Sequence, residues 1–555
     1  MLGYFSIKNG KACASAMNIP YRGIFGTSHG LDTAFFSREQ FSIETETHIT
    51  VCSGFVLNAS EIAAETATSF AKALSSLPFD VQIMRTLHGA YCIARYKKCE
   101  KTLFLSNDLL SKQPLYYSIN GNDLLFSTRF EPLVEALKRM GITPEPDPMG
   151  ISMLINHGYL SGDFTPVHQI HFLPPFRYLI ASDKGIKEEA APLPAPADED
   201  TASAIEKIDT LFAEAVRLQY SKNTEYGYKQ LGSLSGGMDS RVLLLKAQQL
   251  GFTDDMTFTY SQSGSLDMSI AKSVAEKCHV PNLFFAMDGG DFLADRESFF
   301  KGNEGLCTYC GSTGVLEALA RTDTMGCGLI HSAVGGGEIF GDILPADGDC
   351  APNCPKLYEY IKSIGCEDAA ANTHLRDFAL SFPTFNMFRQ ISDLRANTNF
   401  IRTASSVLPA CSPFLYEPLF LFLMSLPMKQ KASRHLYYAW VDAKDLTLSI
   451  RTTDPAWPFR PYTLPGKVIR QWNLIYRSHF MKTGKREMNP FDVWLETNQA
   501  LKTRLDILFK QDLQTCENAA PDLIGKIKSV YLKGGAKEQL RALTASGVLA
   551  RIYES

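Results

Sequence analysis

The sequence predicts an α/β protein with a β-rich N-terminal part, a parallel-sheet domain and a helical C-terminal part. Three observations carry this. Strand-length apolar runs separated by turn residues fill residues 1–143. From Gly227 onward, short apolar strands alternate with helix-forming runs, the pattern of a doubly wound parallel sheet. Beyond residue 355 the apolar spacing is helical.

The 555 residues are 45% hydrophobic, enough for more than one core. A net charge of −4 gives no electrostatic footprint for nucleic acid. No cationic stretch precedes an apolar one at Met1-Leu2-Gly3-Tyr4. The densest apolar run, 418–424, is too short to span a bilayer. The expectation is a cytoplasmic protein with neither nucleic acid nor membrane as partner. Thirteen scattered cysteines read as reduced thiols. Cys307-x-x-Cys310 with Cys350-x-x-x-Cys354 offers two pairs for zinc, but the second spacing is loose and the pairs lie far apart, so no metal is expected there.

In order, strands are expected over 50–55, 90–96 and 102–105, with an Ala-rich helix over 59–77. Strands over 115–119 and 124–127 flank Asn120-Gly121, a strong hairpin signal. Glu131-Pro132 opens a helix. The proline-spaced stretch 142–148 reads as a linker and sets a boundary at 146/147. A helix over 202–220 carries Ile205, Ile208, Phe212, Ala215, Val216 and Leu218 near one face, which is core.

Leu231 to Arg241 (LGSLSGGMDSR) reads as strand, tight glycine turn and helix. Paired glycines let backbone N–H groups approach a ligand closely, and the helix aims its unpaired N–H groups at the same spot. That spot suits phosphate. Ser235 and Ser240 add hydroxyls, and Asp239 offers an oxygen to a metal ion. Strands at 257–260 and 281–286 enclose a helix over 267–278. A second cluster, Gly335-Gly336-Gly337-Glu338, again follows a short apolar strand and gives a second wall, with Glu338 near magnesium. His331, at that strand's end, reads as structural. The basic clusters of the tail at 463–555 read as a solvated face.

The loop lacks the Gly-Lys-Ser/Thr ending of a Walker motif. Ser235-Gly236-Gly237-Met238-Asp239-Ser240 instead resembles the pyrophosphate loop of N-type ATP pyrophosphatases, which cleave ATP between the α and β phosphates. Leu87-His88-Gly89-Ala90-Tyr91 and Asp108 to Tyr117 (DLLSKQPLYY) resemble the glutaminase domain of asparagine synthetases, an N-terminal-nucleophile αββα sandwich. That family has Cys after Met1, where Leu2 stands here, Asn-Gly-Glu where Ser53-Gly54-Phe55 stands, and Asp where His88 stands. The resemblance implies a retained fold without glutaminase activity. Cys13 and Cys52 are poor substitutes, because neither bears a free α-amine.

Leu173-Pro174-Pro175, Tyr178-Leu179-Ile180 and Gly264-Ser265-Leu266-Asp267 resemble further family segments. The last puts Tyr260 and Ser233 on the adenine side, each equally readable as packing. Ser332, Gly335, Glu338, Phe340 and Gly341 match the family's second glycine motif, but its metal-binding Asp falls on Gly337. Either Glu338 or Asp342 replaces it, or magnesium binding is weakened. The family's adenylate lysine falls on Thr453, with Arg451 present and Arg460 outside the pattern.

Over about residues 1–460 the resemblance implies a nucleophile-free glutaminase-like domain at 1–146 and an adenylating domain from 147 to 555. It implies ATP and Mg2+ as cofactors. Ser233, Leu234, Ser235, Gly236, Gly237, Asp239, Ser240, Tyr260, Ser332 and Gly335 would bind ATP, with Asp239 and Glu338 as metal ligands and catalytic residues. The implied activity is an AMP-forming amide synthetase joining a small-molecule or peptide carboxylate to an amine, in natural-product or lasso-type peptide biosynthesis, with room for a biosynthetic partner protein. Three alternatives stay open. One is a synthetase using free ammonia, and another is a nucleotide-binding pseudoenzyme, which Gly337 and Thr453 favour. The third is a tRNA-thiolating enzyme using Cys307 and Cys310, which the charge and the N-terminal domain disfavour.

Overall fold

The computed structural model describes residues 1–8, 11–15, 41–63, 70, 73–74, 77, 80–307, 309–342, 344–345, 347–450, 452–453, 463–469, 471–472, 487–516 and 520–554. They form two compact units: Met1–Ile151 with Leu160–Leu193, and Ser152–Tyr159 with Pro194–Ser555.

The first unit is a sandwich of two antiparallel sheets. One orders β2 (Lys11–Ser15), β1 (Leu2–Lys8), β8 (Asp123–Ser127), β7 (Tyr116–Asn120) and β9 (His171–Phe172). The other orders β11 (Gly185–Ala190), β10 (Arg177–Ser182), β6 (Thr102–Asn107), β5 (Gly89–Lys97), β4 (His48–Val56) and β3 (Phe41–Glu44). Their facing side chains share one core, including Phe5 and Phe126 from one sheet and Val51, Leu105 and Leu179 from the other. A hairpin forms at the expected place, but its turn lies one residue later: Asn120 ends β7 and pairs with Asp123, and Gly121, the first residue of the Gly121-Asn122 turn, takes a φ of +60°. Of the helix expected over 59–77, Ala59–Ile62 is helical, while 64–69, 71–72, 75–76 lie outside the described residues.

The boundary expected at 146/147 falls inside this part of the chain. After the helix Pro148–Asn156 the chain returns, pairing β9 with β7 and β10 with β6. Leu179 and Ala181 of β10 belong to the sandwich core, so residues up to 193 are needed to bury it. β11 closes that edge with the exposed polar residues Glu188 and Glu189, a form of edge protection.

The second unit is built on a five-stranded parallel sheet ordered β14 (Asn282–Ala286), β13 (Met256–Ser261), β12 (Lys229–Ser233), β15 (Cys327–His331) and β16 (Ala410–Cys411). In chain order these strands read 3-2-1-4-5, so the winding direction reverses between β12 and β15. Ligand crevices open at that point, outside the strands' carboxyl ends. The helix Thr201–Glu225 covers the sheet. It is capped by Asp200, whose carboxylate accepts from Ser203 N at 2.9 Å, and it buries Ile208, Phe212, Ala215, Val216 and Leu218, with Ile205 half-buried. The tail carries the helices Phe491–Thr497, Gln499–Cys516, Pro521–Lys533 and Ala536–Tyr553. Phe509 stacks on Tyr531 at 3.8 Å, and Ile527 is buried while Lys533 is exposed. Among the described residues no helix is long and apolar enough to cross a membrane.

Beneath β12 and β15 lies a polar layer. His331 is fully buried and stacks on Tyr220 at 3.7 Å. Gln219 Nε2 donates to its Nδ1 at 2.9 Å, so its Nε2 donates to Gln230 Oε1 at 2.7 Å. Burial lowers its pKa to about 3, so it stays a neutral structural group. Asp254 lies beside Gly232, where a Cβ would sit 2.5 Å from its Oδ2. Burial raises the Asp254 pKa from 3.8 to about 7. The folded state therefore holds this proton more tightly than the unfolded state, and rising pH costs stability between those two values. The expected result of Asp254→Asn is a stability gain over the parent that grows by about 1.4 kcal/mol per pH unit up to about pH 7 and then levels off. Urea unfolding of both proteins at pH 5, 6, 7 and 8 checks this; a difference independent of pH refutes it.

Candidate functional site

β12 ends at Ser233, and the chain turns through 234–238 into the helix Asp239–Gln249. The turn is pinned from within. Leu234 N donates to Phe258 O (2.9 Å), Ser235 N to Ser240 Oγ (3.1 Å) and Gly237 N to Ser235 Oγ (3.2 Å). Gly236 has no room for a side chain, since a Cβ would sit 2.8 Å from Asp267 Cα. Its N–H donates to Asp267 Oδ1 at 3.1 Å, and its carbonyl accepts from Thr453 N at 3.0 Å. Thr453 is thus a backbone support for the loop. Arg451 and Arg460 lie outside the described residues.

The loop opens on a cavity of about 270 Å³. Ser233, Leu234, Ser235, Gly237, Asp239, Ser240, Tyr260, Ser332, Gly335 and Glu338 all line it. Gly236 is the one residue of the expected set that does not, because its N–H is turned to Asp267. The sequence reading missed Phe258, Thr259, Asp267, Ala333, Val334, Phe400 and Met488, which complete the walls. Asp267 was open to detection as the acid that starts the helix Leu266–Cys278 after Ser265, its N-cap. Phe400, on the helix Phe385–Ser405, and Met488, whose carbonyl accepts from Gln262 N at 2.8 Å, carry no local signal.

Asp239 is the most constrained group of the site. Its carboxylate accepts from the Tyr437 hydroxyl at 2.6 Å and from Gly337 N–H. Burial raises its pKa, against the lowering effect of the Arg434 guanidinium and those two donors. Gly336 lies flat against it: a Cβ there would sit 2.5 Å from Asp239 Cγ. Gly335, with φ +97°, turns the chain into the short helix Gly336–Ile339, which carries Glu338. The Glu338 pKa is raised by burial and then by the neighbouring Asp239. Asp342 is held away by Arg434, Nη2 to Oδ2 2.5 Å, so of the two acids near Gly337 it is Glu338 that lines the cavity.

Two half-buried carboxylates on one cavity wall, Asp239 raising the pKa of Glu338, suit a divalent cation completed by water and phosphate oxygens. Among the described residues no three His, Cys, Asp or Glu side chains gather as a metal site, so such an ion would lean on its ligand's oxygens. Of the cysteine pairs, Cys307 is buried and accepts from Asn303 Nδ2 at 3.3 Å, the Cys310 side chain is outside the described set, and Cys350 and Cys354 are half-buried.

In the first unit, Phe55 is buried where the resemblance places a glutamine clamp. Burial pushes the Cys52 thiol up to about 12, and the side chains of Leu2 and Cys13 lie outside the described residues. Asp108 is buried and turns its own loop, accepting from Leu110 N, Lys112 N and Gln113 N at 3.3, 3.1 and 2.9 Å.

A family profile described as a glutamine amidotransferase domain matches residues 76–190. No curated protein sequence matches the chain. Among solved structures, the chain is similar to glutamine phosphoribosylpyrophosphate amidotransferase from B. subtilis, complexed with ADP and GMP, at 10% identity and TM-score 0.21 over 51% of this chain and 59% of that one. It is similar to a structure described as the allosteric regulatory enzyme of purine biosynthesis at 10% identity and TM-score 0.20, over 51% and 58%. A third likeness is NAD+ synthetase from Burkholderia pseudomallei, at 11% identity and TM-score 0.18, over 46% of this chain and 99% of that one. The chain thus spans under two thirds of the first two proteins' lengths.

The profile and the sandwich make the first unit a class II glutaminase-like domain. The second unit adds a parallel sheet with the Ser235–Ser240 loop at its winding reversal.

Gly336→Ala should press a methyl group onto the Asp239 carboxylate and weaken binding of magnesium–ATP at least about tenfold, the scale of a lost charge-assisted contact. Calorimetric titration with ATP and magnesium measures this. Unchanged affinity would place nucleotide elsewhere.

Proposed function

We propose that the chain is an ATP-dependent, AMP-forming amide synthetase. One observation carries the reading: the Ser235–Ser240 loop lies at the winding reversal of the parallel sheet, with Asp239 and Glu338 on the walls of the same cavity. In this reading the loop and the N-terminus of the helix Asp239–Gln249 hold the β and γ phosphates. Ser233, Leu234, Tyr260, Ser332 and Gly335 surround the rest of the nucleotide, with Phe258, Val334 and Phe400 as apolar walls. Asp239 and Glu338 would hold magnesium, which would supply positive charge beside the departing pyrophosphate.

A substrate carboxylate oxygen attacks the α-phosphorus, the bond to the bridging oxygen of the β-phosphate breaks, and pyrophosphate departs. An amine then attacks the acyl carbon of the adenylate, loses a proton and displaces AMP. The protein's share is positioning and charge stabilisation. The carboxylate comes from a small molecule or a peptide, in natural-product or lasso-type peptide biosynthesis, with scope for a biosynthetic partner protein. We further propose domains bounded as the two compact units are, a cytoplasmic protein, and an N-terminal domain without glutaminase activity. Leu2, the apolar Phe55 and the high pKa of the Cys52 thiol support the last point. A binding protein without chemistry is the second reading, favoured by Gly337 and Thr453.

Asp239→Asn should lower AMP and pyrophosphate formation about 10²–10³-fold, the cost of one electrostatic contact to a leaving group, and leave the fold intact. Product analysis across candidate carboxylates is the assay; ADP as product, or indifference to the substitution, refutes the adenylation reading. Incubation with glutamine should release no glutamate or ammonia. Turnover that survives Cys13→Ala and Cys52→Ala would reveal another nucleophile.

A further inference from the structure

Arg434 stands out once the site is assembled. It precedes the helix His435–Ala443, and both it and Ser433 hold left-handed backbone, φ +59° and +57°. Two consecutive non-glycine residues in that region are strained, and such strain persists only where the surroundings over-determine it. The kink turns Arg434 back over Gly337. A Cβ at Gly337 would sit 2.9 Å from Arg434 Cζ, so the guanidinium fills the volume that a side chain there would take. It pairs with Asp342 at 2.5 Å and acts electrostatically on Asp239. Its Nε is buried, and among the described residues it has no hydrogen-bond partner. A buried guanidinium N–H without an acceptor is costly unless a ligand supplies one.

These features concern one charge balance. Asp239, Glu338 and Asp342 bring three carboxylates to this corner, and Arg434 is the cation set among them. A triphosphate adds further negative charge. We propose that Arg434 is a charge-compensating and positioning residue of the nucleotide site: its guanidinium occupies the place over Gly337 in lieu of a second cation, so that the site takes ATP with one divalent ion, between Asp239 and Glu338. This rests on the nucleotide reading above. An arginine in this role is fixed in charge and is held by Asp342 alone, whereas a second ion would need a further carboxylate, which Gly337 does not give.

The test uses the full chain, Mn2+ in place of magnesium, and α,β-methylene-ATP, which cannot be cleaved between those phosphates. Electron paramagnetic resonance counts bound Mn2+ per chain, and calorimetry gives the affinity for the analogue. The parent should bind one Mn2+ with the analogue. Arg434→Gln should weaken the analogue at least tenfold, with a melting temperature close to the parent's, and excess Mn2+ should not restore it. Arg434→Lys, which keeps the charge without the planar fork, should recover part of the loss and serves if the Gln variant does not fold. The double variant Gly337→Asp with Arg434→Ala should bind two Mn2+ and regain part of the affinity. Two Mn2+ on the parent, or parent-like binding by Arg434→Gln, overturns the proposal and leaves the nucleotide reading standing. A parent that binds no analogue overturns both.

Discussion

The pairing of β12 with β13 on one side and β15 on the other governs the second unit. Because the sheet winds outward in both directions from that pair, the connections after β12 and β15 leave on opposite courses and no segment fills the space between them. The two glycine-bearing turns, at 234–238 and 332–336, therefore line one cavity and meet where Gly336 lies against Asp239. Had β15 been laid beside β14 instead, Glu338 and Asp239 would not share a wall. The buried polar layer of His331, Tyr220, Gln219 and Gln230 fixes that neighbour relation by hydrogen bonds that run between the covering helix and both central strands.

On that frame the chain supports groups that cost stability. Asp239 is held by donors from two distant segments, Gly337 and Tyr437, against a burial that favours its neutral form. Ser433 and Arg434 keep strained backbone, and Asp254 keeps a high pKa. Well-packed aromatic contacts offset such terms locally. Tyr437 meets Phe340 at 4.9 Å, and Trp440, whose Nε1 donates to Asp209 at 3.0 Å, stacks parallel to Phe340. The tyrosine that aims Asp239 is thus itself fixed by aromatic packing.

Short-range signals were the legible part. The β7–β8 hairpin, the apolar stripe of Thr201–Glu225 and the strand–turn–helix around Ser235 each depend on neighbours a few residues away, and each stands where the sequence puts it, the hairpin's turn one residue later. The return of 171–190 into the sandwich was not legible, because β9 and β10 find their partners far upstream, and the prolines at 144–148 look like a linker whether or not the chain comes back. At the site, the loop and Glu338 were readable, whereas Tyr437, Arg434, Phe400 and Met488 arrive by tertiary packing alone. Gly337 shows the difference most plainly. In the sequence it is a missing carboxylate, and in the structure it is the space that a guanidinium occupies.

Met488 lines the cavity while its carbonyl binds Gln262 N, and Trp494 Nε1 donates to Gln262 Oε1 at 2.6 Å nearby. Met488 thus enters the cavity wall directly, and Gln262, just after β13, ties it to Trp494 on the helix Phe491–Thr497. A substitution at Trp494, far in sequence from either glycine motif, would reach this pocket through that contact.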